Sequence, residues 1–212
     1  MQIGEAKRIT GGGLGKPSKM PGTSYGLPAK ACHVGAKLAK VEGSVCHGCY
    51  ALKGNYLYPS VQTAQERRLA SITDPQWVDA MVTLLNHSGT GWHRWHDSGD
   101  LQSVDHLLAI SDICRATPHI QHWLPTREIM IVKACVARLA AFGRELPSNL
   151  CVRVSATMID GKATKVWDTT SGVHTEPTAA MRVCPAPTQG NKCGDCRACW
   201  DKSVSHVSYH KH

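Results

Sequence analysis

Between residues 91 and 160 the chain alternates short strand-like stretches with longer stretches of helical period. Strands and helices in such alternation pair in parallel through right-handed crossovers. GWHRWHDSGDL reads as a strand that ends in a polar turn. Ser103 stands where an N-cap belongs, ahead of a helix with Val104, Leu107, Leu108, Ile110 and Ile113 as its apolar positions. IQHWLPTR is a second strand, Glu128–Phe142 a second helix closed by Gly143, and LCVRVSATM a third strand. Upstream, residues 60–86 predict two helices, one carrying Val61, Ala64, Leu69 and Ile72, the next opened by Asp74-Pro75 and facing inward through Trp77, Met81, Leu84 and Leu85. Residues 10–30, rich in Gly, Pro and Lys, read as irregular, as does most of 161–212. The expected fold is α/β: a truncated or partial parallel βα-barrel-like domain with irregular cysteine-rich N- and C-terminal segments. Its parts are a basic segment 1–60, a βα core 61–160 and a cysteine-rich segment 161–212, together one compact domain.

Ten cysteines need an explanation in such a chain. Apolar residues make up 42% of 212, enough for a core without crosslinks. The N-terminus MQIGEAKRITGGGLG has no secretory apolar stretch, and no run of about 18 apolar residues offers a membrane span. A cytoplasmic location with reduced thiols is the expectation, which favours metal ligands or buried thiols over disulfides. Cys184, Cys193, Cys196 and Cys199 lie in CPAPTQGNKCGDCRACW, where the C-x-x-C-x-x-C run suits a [4Fe-4S] cluster. A four-thiolate zinc site is the alternative, although zinc sites more often use two separated C-x-x-C pairs. Cys32, Cys46 and Cys49 form a second group of three, which would leave one iron open; His33 or His47 would be a fourth ligand instead. Thiols from both groups sharing one metal is a further reading, so one cluster or two are both open. Cys114, Cys135 and Cys151 sit among apolar neighbours and read as buried structural thiols.

Functional side chains of parallel α/β folds gather where strands end. Here those edges carry His96, Asp97, Ser98 and Asp100, then Thr126 and Arg127, then Ser155 and Thr157. Helix capping explains Asp97, Ser98 and Asp100 equally well. His93 and His96 would face opposite sides of a strand, and Trp92, Trp95 and Trp123 read as core. The net charge of +8 is uneven: residues 1–60 hold Lys7, Arg8, Lys16, Lys19, Lys30, Lys37, Lys40 and Lys53 against Glu5 and Glu42. Nucleic acid is therefore a candidate partner, beside a merely solvated face. A phosphate-binding P-loop is excluded, since Thr10 and Pro17 replace its first glycine and its hydroxyl.

SVCHGCYALKG, RWHDSGDL, VSATMIDG and CGDCRACW together resemble a family of small bacteriophage proteins, over most of the chain. That resemblance implies the cytoplasm of an infected bacterium, with a host protein as a further candidate partner. More loosely, Cys32, Cys46 and Cys49 look like the cysteine loop of radical S-adenosylmethionine enzymes, and Ser98-Gly99-Asp100 looks like their GGE-like turn. The usual C-x-x-x-C-x-x-C becomes a spread of thirteen residues and then two, with Gly48 where an aromatic normally precedes the last cysteine. No first barrel strand is legible before Cys32, and three strands are legible where about six are usual. The resemblance implies an iron–sulfur enzyme that binds S-adenosylmethionine. Asp100 and Arg127 are then the candidate catalytic residues, and Ser98, Gly99, Asp100 and Ser155 the candidate cofactor contacts. The rival is a non-catalytic module stapled by zinc or a cluster.

Overall fold

The computed structural model describes residues 1–178 and 182–211. Six strands form one sheet: β1 Thr23–Tyr25, β2 Trp92–Trp95, β3 Gln121–Thr126, β4 Leu150–Ser155, β5 Thr170–His174 and β6 His206–His210. They lie in chain order and every neighbouring pair is parallel. Among the described residues six α-helices accompany them: α1 Ile3–Ile9, α2 His33–Leu38, α3 Pro59–Ser71, α4 Trp77–His87, α5 Val104–Ala116 and α6 Ile129–Ala140. A singly wound parallel sheet of this kind is a partial βα barrel.

The central elements form for the reasons the sequence supplies. Ser103 caps α5 by accepting the His106 amide at 3.0 Å. Gly143 takes φ +63 just past α6, a backbone region that suits a residue without a side chain. Asp74 accepts the Gln76 amide at 2.8 Å and turns the chain into α4, whose Trp77, Met81, Leu84 and Leu85 are buried. Alternation along the strands then divides the sheet. Trp95, Leu124, Leu150 and Val152 join Trp77, Met81, Leu107 and Ile110 in the core beneath the helices. On the opposite, inner face, Trp123 of β3 and Val207 of β6 pack with Ala198, Cys199 and Trp200. The cysteine-rich C-terminal segment thus covers the face that the helices leave bare.

Both segments expected to be irregular contribute strands. β1 is only TSY, yet its three residues are buried and its Tyr25 hydroxyl donates to Thr10 O at 2.7 Å. β5 and β6 carry few apolar residues and are joined by polar pairs: Thr170 Oγ1 meets His206 Nδ1 at 2.8 Å, and His174 Nδ1 meets Ser208 Oγ at 2.6 Å. Such cross-strand pairs stabilise a sheet without leaving a hydrophobic pattern in the sequence. Cys114, Cys135 and Cys151 are buried as expected of packing thiols. Among the described residues no helix is long and apolar enough to cross a membrane.

Candidate metal centres

The first cysteine group lies beyond the C-terminal ends of β1, β2 and β3. Cys32 closes a short 3-10 turn and immediately precedes α2. Cys46 and Cys49 share a turn in which the Cys49 amide donates to Cys46 O at 3.1 Å. That turn is pinned from two sides: Ser44 Oγ donates to Leu38 O at 2.6 Å, and the Val45 amide donates to Thr157 O at 2.9 Å, just past β4. Gly35 is where the thiols meet. A Cβ added there would stand 3.6 Å from the sulfurs of both Cys32 and Cys46, so those sulfurs are separated by no more than twice that distance.

The electrostatics place the same residues together. Burial pushes the Cys32 thiol up to about 12, and Asp100, Cys49, Cys46 and Glu128 add to the rise. Burial also raises Cys46, while nearby Arg127 opposes the shift. Cys32, Cys46 and Cys49 therefore share one neighbourhood with Asp100, Arg127 and Glu128. The raised Cys32 and Cys46 thiols rest neutral, and metal binding would have to displace their protons.

Asp100 anchors this neighbourhood. Its Oδ1 accepts from Thr126 Oγ1 at 2.6 Å and from the Leu101 amide at 2.8 Å, while Oδ2 accepts the Arg127 amide at 2.9 Å. Burial nevertheless outweighs those hydrogen bonds and raises the carboxyl to about 6. Gly99 permits the turn: φ is +76, and a Cβ would lie 2.7 Å from Leu27 Cβ and from Leu27 O. Glu128, which the sequence reading did not single out, continues the tie by accepting the Val34 amide at 2.8 Å. The β2 edge, the β3 edge and the chain after Cys32 are thereby locked together. Ser98 faces elsewhere, accepting from Gln65 and donating to Leu27 O, both at 2.8 Å. Ser155 pairs with Ser171 at 3.0 Å. His33 meets Gln102 O at 3.2 Å through Nε2.

The second group is assembled on the inner face. Cys184 is held by its amide to Ser208 O, and Cys193 by its amide to Lys19 O, each at 2.8 Å. Arg153, wholly buried, donates to Cys199 O, Ala198 O and Asp201 O from one side and Thr170 O from the other. Trp200 Nε1 donates to His93 O at 2.9 Å. Burial pushes Cys199 up to about 12; the Tyr209 hydroxyl, 3.2 Å from its sulfur, works against the rise, and Cys184 adds to it. Cys193 is raised by burial, then by Cys184 and Cys196. Cys184, Cys193 and Cys196 are thus neighbours of one another, and Cys184 is also a neighbour of Cys199.

Among the described residues no three His, Cys, Asp or Glu side chains are set around one point as ligands of a single ion. A lone zinc would draw thiolates to about 2.3 Å from a common centre. A cubane gives each thiolate its own iron and accepts a wider arrangement. Thiols are the donors of both groups, a set that zinc and an iron–sulfur cluster each accept.

A family model described as Gene product 88 matches residues 2–202. That match across the chain fits the resemblance to small bacteriophage proteins. No curated protein and no solved structure matches.

Proposed function

The chain belongs to the Gene product 88 family, and from the chemistry of its site we propose that it is an iron–sulfur protein with two [4Fe-4S] clusters, working as a radical S-adenosylmethionine-like enzyme. The first cluster would be held by Cys32, Cys46 and Cys49, and the second by Cys184, Cys193, Cys196 and Cys199. The observation that carries this reading is the meeting of the first three thiols with Asp100 and Arg127 at the edge of a singly wound parallel sheet. When bound and reduced, such a cluster supplies the electron that cleaves a carbon–sulfur bond of S-adenosylmethionine. Asp100 would hold the Thr126–Arg127 edge rigid and offer its remaining lone pairs to the cofactor amine. Arg127, whose Nε is buried without a hydrogen-bond partner among the described residues, would counter negative charge at the cluster. Ser98 and Gly99 would shape the turn that presents Asp100. Ser155 remains a candidate cofactor contact at the end of β4. The setting we propose is the cytoplasm of an infected bacterium.

The test is anaerobic incubation with S-adenosylmethionine and a strong reductant, with adenosyl products quantified. Product from wild type and none from Cys46→Ala supports the enzyme. Absence of product from cluster-loaded wild type would sink it. A second reading rests on one observation: all eight basic side chains of residues 1–60 are exposed. A zinc- or cluster-stapled module would use that surface to bind nucleic acid or a host protein. Steep weakening of DNA or RNA binding with salt would favour it.

A further inference from the structure

Arg94 is the residue of the inner face whose environment is incomplete. Strand alternation puts it with Trp92 on that face, and its guanidinium stacks 4.6 Å from the Trp123 ring centroid. It lies deep among the strands and the C-terminal segment, yet keeps part of its surface accessible. Only Nε is shut off from solvent, so the Nη end of the guanidinium is open. Among the described residues, however, Arg94 makes no hydrogen bond and no ion pair, and its Nε is buried without a partner. Arg153, on the same face, shows what a complete environment is there: carbonyl oxygens accept from Nε, Nη1 and Nη2. A buried N–H without an acceptor is costly unless something else supplies one.

The surroundings describe what would supply it. Tyr50, Tyr56, Asp97, His96, Tyr209, Cys193 and Cys199 are ionisable groups close enough to interact with Arg94. Asp97 is the opposing charge, but it forms no ion pair with Arg94, and its Oδ1 packs where a Cβ on Gly26 would stand. Tyr50 donates to Asp97 O and meets Tyr56 edge-on at 5.7 Å. Tyr56 in turn senses both Arg94 and Cys49. Arg94 therefore neighbours Cys199 of the second group and Tyr56, which itself neighbours Cys49 of the first. A guanidinium stacked by its face on Trp123 keeps its N–H edge for a planar acceptor, and a forked oxyanion is the acceptor that this edge fits.

We propose that Arg94 anchors the oxyanion, carboxylate or phosphate, of a small-molecule ligand held on the inner face beside the second cysteine group. The ligand is recognised at that end by charge and fork geometry, and its remaining part lies towards Tyr56. This site does not depend on which metal the cysteines hold.

The test titrates inorganic phosphate and, separately, malonate into the full-length protein prepared anaerobically, at low ionic strength. Binding is read by tryptophan fluorescence and by calorimetry. Saturable binding of either anion with one site per chain is expected; phosphate alone would identify a phosphate ligand and malonate alone a carboxylate. Arg94→Gln should weaken that binding by about tenfold or more, whereas Lys192→Gln, which removes an exposed charge of the same sign, should leave it unchanged. Should Arg94→Gln not fold, Arg94→Lys decides, because it keeps the charge and loses the fork; malonate affinity should fall about threefold or more. No saturable binding by either anion overturns the proposal, as does undiminished affinity in a folded Arg94 variant. An Arg94 that merely balances thiolate charge would give that negative result.

Discussion

Replacing Arg153 with Met tests whether the cysteine-rich segment is docked on the sheet as described. Arg153 has no exposed surface, so solvent does not screen its contacts. Its guanidinium reaches four carbonyl oxygens: Cys199 O at 3.0 Å, Ala198 O at 2.7 Å, Asp201 O at 2.6 Å and Thr170 O at 3.2 Å. Three of these belong to the C-terminal segment and one to the start of β5. Met fills similar volume but donates nothing, and each buried acceptor left unmatched costs about 1–3 kcal/mol. Relief of the buried charge, and water reaching the segment, offset part of that sum. A net loss of about 4 kcal/mol follows, a large share of the roughly 5–15 kcal/mol that holds a domain folded. For a chain of this size that is a fall in Tm of about 8–16 °C. Thermal unfolding by circular dichroism measures it, and amide exchange should quicken over residues 184–204. A Tm within about 3 °C of wild type, with exchange unaltered, would refute the docking argument.

Other expectations follow from the same geometry. Because Asp100 has a folded pKa near 6, above the ordinary carboxyl value of 3.8, its contribution to stability is fully present below pH 4 and lost as pH rises through 6. Denaturant titrations of metal-free protein should show that loss, about 3 kcal/mol, and Asp100→Asn should flatten it. Cys32 and Cys46 are raised thiols, so loading the first group should release about two protons from them alone, and calorimetry in buffers of different ionisation enthalpy counts those protons. Gly99→Ala forces a Cβ against Leu27 at positive φ and should cost about 2 kcal/mol or more in denaturant unfolding. Ser103→Ala removes the α5 cap and should cost about 1 kcal/mol by the same assay.

The middle of the fold was legible because each element there carries its own signal. Ser103 and Gly143 mark helix ends, and the apolar positions of α4 and α5 repeat at helical spacing. β1, β5 and β6 carry no such signal. β1 is too short for a period, and the His–Thr and His–Ser pairs that join β5 to β6 appear only once the strands are adjacent. Cysteine spacing located both thiol groups, but Gly35, where Cys32 and Cys46 meet, looks like an ordinary helical glycine in the sequence. Glu128, Arg153 and Tyr209 escaped notice for a related reason. Their partners lie 94, up to 48 and 10 residues away, and long-range hydrogen bonds leave no local pattern. Arg94 is a basic residue in a strand until Trp123 and the missing acceptors are seen around it.

Iron, acid-labile sulfide and zinc, quantified together on anaerobically purified protein, test the central claim most directly. Two clusters predict about eight irons and eight sulfides per chain, falling by about half when Cys32, Cys46 and Cys49 are replaced by Ala. A folded protein that carries zinc alone, or no metal, would contradict it.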